Sequence, residues 1–206
     1  MSNLSTSISR SVQILRDGGV IALPTDTLYG ISANALDPEA AAKVFSVKDR
    51  GERSPLPIFV SDTGDLYKYG RDIPDTAVRL AEIFWPGKLT IVVGKSDLVP
   101  DVVSGGIDTV GLRIPDHPAP RGIVAQLGAP ITATSANVSG KPALTAAEDV
   151  VAELGSRLDL VLDGGNLAPS APSTVIDVTA DPPRILRQGA LSASDIQKLA
   201  GIDLEV

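Results

Sequence analysis

Residues 20–30 read VIALPTDTLYG, an apolar run that stops at a proline and continues into hydroxyl and carboxylate side chains. The apolar part, residues 20–23, has the length of a short buried strand, and the helical pattern before it ends at Gly18. Residues 24–30 therefore follow the carboxyl end of a strand, which is where α/β proteins hold ligands. A turn or a helix cap is the alternative, because Thr and Asp are common there. The stretch predicts an α/β fold with a candidate site after its first strand.

Helix and strand patterns alternate along the rest of the chain. Asp37, which precedes a proline, is typical of a helix start, and Thr145 with Glu148 three residues later forms a capping box. Several strand-to-strand steps towards the C-terminus predict a mixed sheet rather than a purely parallel one. Residues 169–172, PSAP, resemble a linker, but a loop within one domain is the preferred interpretation, and we expect one domain over residues 1–206. The predicted helices lie at residues 38–47, 75–85, 120–127 and 145–154, with a last one that begins at Ser192 or Ser194, and the predicted strands lie at residues 56–60, 89–93, 109–114, 131–134, 158–162, 174–178 and 184–186.

The composition is that of an ordinary globular protein with an aliphatic core. The chain has 206 residues, of which 43% are hydrophobic, 21% are charged and only 3% are aromatic. The sequence contains no cysteine, which excludes disulfides, thiolate nucleophiles and cysteine-bound metals. No apolar run approaches the length of a membrane span and no secretory signal is recognisable, so we expect a cytoplasmic protein without membrane contact.

The charge distribution favours a small anionic ligand over a broad nucleic-acid surface. The formal net charge is −7, which opposes nonspecific binding to nucleic acid. Basic residues nevertheless gather in one short region, at Lys43, Lys48, Arg50 and Arg53. Local bases in an acidic chain are consistent with a site for a compact anion.

Two pairs of residues share a spacing of two. If residues 48–50 are extended, Lys48 and Arg50 project to the same side and could face one anion. A solvated charged loop is the alternative interpretation. Ser135 and Asn137 repeat the spacing with neutral hydrogen-bonding groups, in a segment that could equally be a simple turn.

Three single residues call for an explanation. Arg113 lies within an apolar strand pattern and needs a partner, which could be Asp116 or the carboxylate of a substrate. His117 is the sole histidine, so a Ser-His-Asp triad is possible only through it, but its PDHP setting predicts a turn residue. Trp85 is predicted to anchor the core. Walker, G-x-G-x-x-G and G-x-S-x-G motifs are absent from the sequence.

Seven ordered segments together resemble one known family. They are PTDTLYG, a K-x-R followed by SPLP, WPGKLT, TVGLRIPDHP, TSANVSGKPA, PSTVIDVT and ILRQGA. Over residues 18–190 the chain is similar to the YrdC/TsaC/Sua5 family. The resemblance implies a YrdC-like α/β domain with a twisted mixed sheet flanked by helices and a large concave basic cleft. Longer relatives carry a linker and a second domain, and this sequence resembles the short, single-domain form.

The resemblance also implies a set of site residues. The K-x-R…S-x-N positions, which carry the nucleotide-phosphate site and the catalytic role, fall on Lys48, Arg50, Ser135 and Asn137. Further ATP contacts fall on Ser54, Thr109, Ala133, Ala143 and Arg187. Threonine contacts fall on Thr27, Phe59, Arg113 and Ser173. Phe59 stands where some members have His, and Ser54 where others have Asn or Lys.

The family makes threonylcarbamoyl-adenylate, the activated intermediate for the threonylcarbamoyl modification of the tRNA adenosine at position 37. The resemblance therefore implies L-threonine, bicarbonate or CO2, and ATP as substrates, pyrophosphate as a product, and Mg²⁺ bound with ATP but no metal held by a protein cage. A tRNA threonylcarbamoyltransferase complex would consume the adenylate. One alternative is the carbamoyl-adenylate-forming relative of hydrogenase maturation, which usually carries cysteine-rich zinc fingers. Another is a non-enzymatic module that binds tRNA or double-stranded RNA, which the low aromatic content and negative charge disfavour.

Overall fold

The computed structural model of the chain describes residues 4–49, 51 and 54–205. Helices and strands alternate, and the predicted α/β fold with mixed pairing is confirmed. The helices are α1 (Leu4–Arg16), α2 (Pro38–Lys48), α3 (Asp65–Tyr69), α4 (Asp75–Phe84), α5 (Asp101–Ser104), α6 (Pro118–Leu127), α7 (Ala147–Leu154) and α8 (Ala193–Ala200). The strands are β1 (Ile21–Leu23), β2 (Gly30–Ser32), β3 (Ile58–Phe59), β4 (Gly70–Arg71), β5 (Leu89–Lys95), β6 (Thr109–Arg113), β7 (Ile131–Thr132), β8 (Thr134–Ser135), β9 (Leu160–Val161), β10 (Thr174–Asp177) and β11 (Arg184–Arg187).

The strands of the described residues form two sheets. The smaller has the order β8-β2-β1-β9, in which β1 and β9 are parallel and the other pairs antiparallel. The larger has the order β11-β10-β5-β6-β3-β7, with β4 paired to β5. Its β5–β10 and β3–β6 pairs are parallel, and the remaining pairs are antiparallel.

Residues 131–135 connect the two sheets. The sequence predicts one strand here, and that prediction is wrong because the chain changes partner at Ala133. Residues of β7 pair with β3 in the larger sheet, whereas β8 pairs with β2 in the smaller one. Between them, the Ala133 N–H donates to the carbonyl of Pro57 at 2.7 Å. One short segment thus links both sheets at the place where the candidate site lies.

The core is aliphatic, as the composition predicts. Fully buried Val, Ile, Leu and Ala side chains from both sheets and most helices form it, with few aromatic members. Trp85 is one of these: its side chain is buried and its indole N–H donates to the Leu89 carbonyl at 2.8 Å. The predicted anchoring role of Trp85 is confirmed.

Two of the three predicted helix caps are present. Asp37 accepts hydrogen bonds from two backbone N–H groups at the start of α2, and Ser192 accepts one from Asp195 at the start of α8. The predicted capping box at Thr145 is wrong, because the N-cap of α7 is Ala146 and no side chain caps it.

Within the ranges 4–49 and 54–205, none of the helices combines the length and the apolar character needed to cross a bilayer.

Candidate active site

A cleft of about 480 Å³ has walls from both sheets. This volume lies in the usual range for sites that bind small molecules. Strands β5, β6 and β10 each turn alternate residues towards it, because side chains of a strand point to opposite faces in turn. The cleft-facing residues of β5 are Thr90 and Val92, and those of β6 are Thr109, Gly111 and Arg113.

The segment after β1 supplies a hydroxyl pair to the cleft wall. Thr25 and Thr27 are both buried, and their hydroxyl oxygens lie 3.0 Å apart. The Thr25 hydroxyl donates to the Leu28 carbonyl at 2.7 Å, so its single proton is used there. The Thr25 oxygen also accepts from the backbone N–H groups of Thr27 and Leu28 at 3.1 and 3.2 Å, so its hydrogen-bonding capacity is filled locally and the neighbouring Thr27 hydroxyl is left to face a ligand. Residues 24–30 therefore contain the turn that was the alternative interpretation, and the same residues also form part of the cleft wall.

Arg113 contributes a buried cation to the same cleft. Its Nη2 donates to Asp26 Oδ1 at 2.6 Å, and its Nε donates to the Gly87 carbonyl at 2.8 Å. Burial lowers the pKa of the Arg113 guanidinium, and the charge of Asp26 partly offsets that effect. Asp26 is therefore the protein partner that the sequence could not identify, and the candidate Asp116 is wrong.

His117 lies at the start of α6 rather than in a catalytic triad. It is the N-cap residue, and its Nδ1 accepts a hydrogen bond from the Ala119 N–H at 3.2 Å. Partial burial lowers the pKa of His117 below its ordinary value of 6.5, against the opposing charges of Asp26 and Asp116. The neutral imidazole is the form that can accept at Nδ1, so burial and capping favour the same state.

A second cation and two hydroxyls occupy the wall formed by β5, β10 and β11. Arg187 donates through Nη2 to the Ser173 carbonyl at 2.8 Å and to the Ser173 hydroxyl at 3.1 Å. The Ser173 hydroxyl lies 2.8 Å from that of Thr90. Burial lowers the pKa of Arg187. The charge of Arg187 also lowers the pKa of Arg113, so the two guanidinium groups are close enough to influence each other.

The end of β8 and the residues after it are held by a buried lysine. Lys48 is 3% exposed, and its Nζ donates to the Asn137 carbonyl at 2.9 Å, to Asn137 Oδ1 at 3.1 Å and to the carbonyl of Ser135. The Ser135 hydroxyl donates to Asn137 Oδ1 at 2.5 Å. Three residues predicted to act together thus meet, although they are separated by up to 89 positions in the chain.

The structure brings most of the predicted site residues to the cleft. Those that line it are Thr27, Phe59, Thr109, Arg113, Ala133, Ser135, Ala143, Ser173 and Arg187. Lys48 and Asn137 lie behind Ser135, and Ser54 precedes the lining residue Pro55. Arg50 lies outside the described residues. The predicted extended form of residues 48–50 is wrong for the first two, because Lys48 ends α2 and Asp49 is left-handed.

Other lining residues were not predicted as ligand contacts. Thr90 is the most notable, because its buried hydroxyl meets the Ser173 hydroxyl directly. The sequence did contain a signal for Thr90. Side chains of a strand alternate between its two faces, so once Arg113 of β6 is placed in the cleft, every second residue of the neighbouring strand β5 is a candidate, and Thr90 is one of them. The basic character expected for the cleft stays a prediction: of the described lining residues, Arg113 and Arg187 are cationic, and Arg113 is paired with Asp26.

Comparison with known proteins identifies the family. The family model for Sua5, YciO and YrdC proteins, which carries the description telomere recombination, matches residues 13–189. A threonylcarbamoyl-AMP synthase of Pyrococcus abyssi is 41% identical over 187 residues, which are 91% of this chain and 55% of that protein. A putative threonylcarbamoyl-AMP synthase of Methanocaldococcus jannaschii is 40% identical over 185 residues, 89% of this chain and 84% of that protein.

Solved structures agree with the sequence comparison. The crystal structure of P. abyssi Sua5 complexed with L-threonine has a TM-score of 0.93 and 39% identity, covering 98% of this chain and 59% of that chain. The chain thus spans little more than half the length of the Pyrococcus relative. Since the family model covers residues 13–189 of 206, and the fold agrees along nearly all of the chain, the protein belongs to the Sua5/YciO/YrdC family.

Proposed function

We propose that this chain makes threonylcarbamoyl-adenylate from L-threonine, bicarbonate or CO2, and ATP, with release of pyrophosphate. The adenylate would serve the first step of threonylcarbamoyl-adenosine formation at position 37 of tRNA. The observation that carries the proposal is the single cleft in which Arg113, the Thr27 oxygen and the Ser173 hydroxyl meet. The names of the relatives and the threonine complex of P. abyssi Sua5 support the same substrate.

The cleft residues suit the two ends of threonine. Arg113 would bind the amino-acid carboxylate, for which a guanidinium offers parallel N–H donors. The Thr27 hydroxyl, which lines the cleft, would exchange a hydrogen bond with the threonine hydroxyl. The Phe59 ring, whose centroid lies 5.6 Å from the Arg113 guanidinium carbon, would provide an apolar surface beneath the guanidinium.

The reaction needs positioning and positive charge more than covalent help from the protein. The threonine nitrogen attacks the carbon of CO2, forming an N–C bond, and the amine proton leaves to solvent. A carbamate oxygen then attacks the α-phosphorus of ATP, and the bond from that phosphorus to the bridging oxygen of pyrophosphate breaks. Arg187, Lys48, Arg50 and the hydroxyl of Ser135 would orient and neutralise the phosphates, with Asn137 holding Ser135 in place.

Mg²⁺ is part of the proposal as a companion of ATP. The described residues contain no group of three or more His, Cys, Asp or Glu side chains that could hold an ion. A metal with few protein ligands is consistent with Mg²⁺, which keeps several waters and binds through substrate phosphates. When bound, it would neutralise phosphate charge.

The downstream partners follow from the chemistry of the product. A mixed anhydride of a carbamate and AMP hydrolyses readily, so a tRNA threonylcarbamoyltransferase would have to take it directly or quickly. Cytoplasmic location and direct contact with tRNA are further parts of the proposal.

Mass spectrometry tests the activity. The protein is incubated with ATP, Mg²⁺, bicarbonate and L-threonine, and the expected products are the mixed anhydride and pyrophosphate. Reactions without threonine, with L-serine, or with carbamoyl phosphate in place of threonine and bicarbonate are the controls. An anhydride that forms only from carbamoyl phosphate would overturn the proposal in favour of carbamoyl-adenylate synthesis. RNA binding that weakens steeply with salt, without any ATP turnover, would point instead to a binding module.

A further inference from the structure

We propose that Asp26 is a positioning residue, which orients the Arg113 guanidinium so that the end-on pair of nitrogens is left for the carboxylate of the substrate. This inference rests on the proposed function, because it assigns how the amino-acid end of that same cleft is built.

The hydrogen bonds of Arg113 carry the argument. A guanidinium has five N–H donors, one on Nε and two on each terminal nitrogen. Gly87 takes the Nε donor at 2.8 Å and Asp26 takes one Nη2 donor at 2.6 Å, and these two nitrogens form one edge of the guanidinium. The donors that remain belong to Nη1 and to the second position of Nη2. These are the two nitrogens that bind a carboxylate end-on.

Packing fixes the plane of the same group. The guanidinium carbon lies 5.6 Å from the centroid of the Phe59 ring, which belongs to the paired residue on β3. One face of the guanidinium is therefore supported, and one edge is bonded. Together these contacts leave Arg113 little freedom to turn its remaining donors away from the cleft that it lines.

The carboxylate of Asp26 contributes charge as well as an acceptor. The Asp26 and Arg113 side chains are 8% and 5% exposed, so the pair is shielded from solvent. Asp26 Oδ2 is buried and has no hydrogen-bond partner among the described residues. An amide at this position would keep an acceptor for Nη2, but it would bring no negative charge to Arg113. That charge balances Arg113, which Arg187 repels.

A purely structural ion pair is the rival explanation. In that case, loss of Asp26 would weaken the fold and affect all substrates alike. A positioning role predicts a selective effect on the amino acid, because ATP does not depend on the orientation of Arg113.

The test compares Asp26→Asn and Asp26→Ala with Asp116→Asn. Asp116 is exposed and is the neighbouring carboxylate that does not pair with Arg113. We expect the KM for L-threonine to rise about tenfold or more in Asp26→Ala, since a hydrogen bond to a charged group has about that worth, and to rise by less in Asp26→Asn, whose amide keeps one acceptor oxygen. The KM for ATP should stay within about twofold of the parent value, and Asp116→Asn should behave as the parent. Equal changes in both KM values, or no change in either, in folded Asp26→Ala would overturn the proposal.

A double substitution keeps the test decisive if a single variant is unstable. Asp26→Asn with Arg113→Gln removes both buried charges, and a neutral pair is expected to fold. Threonine affinity, measured by calorimetry, should then equal that of Arg113→Gln alone, because Asp26 has no remaining group to orient. A further loss would contradict a role exerted through Arg113. If the unsubstituted protein neither binds threonine nor forms the anhydride, the proposed function fails instead.

Discussion

Lys48 is a buried cation whose Nζ donates hydrogen bonds to Ser135, at the end of β8, and to Asn137 just after it. Two carbonyls and the Asn137 side-chain oxygen surround its Nζ, and the Ser135 hydroxyl shares that last acceptor. The ammonium therefore acts on the cleft at least partly through Ser135, whose side chain lies in the wall. Burial of so many acceptors around one charge makes the segment depend on Lys48.

Lys48→Met should reduce both stability and turnover. We expect the free energy of unfolding to fall by about 2–4 kcal/mol, because buried acceptors lose their donor, and turnover to fall at least tenfold. Denaturant unfolding and the anhydride assay measure the two effects. Lys43→Met is the matched control: Lys43 is exposed and donates to the Gly18 carbonyl, so a change under about 1 kcal/mol is expected. Equal losses in both variants would show that Lys48 has no special role.

His117 should make stability depend on pH in one direction. Its pKa in the folded protein lies below the ordinary value of 6.5, so the unfolded chain takes up a proton first as the pH falls. The unfolded state then binds more protons, and stability is lost as the pH drops from about 6.5 towards the lower native pKa. Because His117 is the sole histidine, His117→Asn removes this dependence while keeping a capping side chain. The denaturant midpoints measured at pH 7 and at pH 5 should therefore differ less in the variant than in the parent; an equal difference in both proteins would contradict the assignment.

At this scale the sequence identifies candidate side chains but not their partners. The sequence indicates that Arg113 needs a partner, but it does not decide between the nearby Asp116 and the carboxylate of a ligand. The actual partner, Asp26, is 87 positions away and follows a strand of the other sheet. Only the assembled fold brings those two positions together.

The helix caps show that a local sequence pattern does not always produce the predicted cap. Asp37 precedes α2 in extended geometry and accepts from the N–H groups of Glu39 and Ala40. Thr145 has a similar local sequence, yet α7 begins one residue later, and its capping residue is Ala146. The Thr145 carbonyl accepts a backbone hydrogen bond from Leu167, so a contact distant in sequence helps to set the helix start.

Asp37→Ala should therefore cost more than Thr145→Ala. We expect the first to lower the free energy of unfolding by about 1 kcal/mol, since a capping carboxylate is lost. The second should stay within about 0.5 kcal/mol, as is usual away from such features. Urea unfolding of both variants under one condition makes the comparison. A larger loss of stability in Thr145→Ala than in Asp37→Ala would show that the Thr145 side chain does cap α7.

Short elements escaped prediction for a common physical reason. Strands β2 and β4 and helices α3 and α5 have two to five residues each, too few to display a period. Pairing maintains the strands instead, as β2 does between β1 and β8. The longer helices and strands, whose apolar periods extend over whole faces, were found close to their observed limits.

On the scale of the whole molecule, the cleft belongs to both sheets. Residues from β2 and β8 line one side, and residues from β5, β6 and β10 line the other. The connecting segment at residues 131–135 passes directly through the wall, with Ala133 and Ser135 facing the cleft. A ligand in the cleft therefore contacts two sheets that the backbone joins at few places.

Ligands that bridge the two sheets should stabilise the whole fold. A ligand present at 100 times its Kd adds about 2.7 kcal/mol to the free energy of unfolding, and for a chain of this size that raises Tm by about 5–10 °C. We expect ATP with Mg²⁺ and L-threonine each to raise Tm in the native protein.

In Arg113→Gln the threonine shift should largely disappear while the ATP shift persists, because only the amino-acid carboxylate depends on that guanidinium. Scanning calorimetry at matched ligand concentrations measures this, with D-lactate as a carboxylate control. A threonine shift of undiminished size in Arg113→Gln would place the amino acid elsewhere in the molecule.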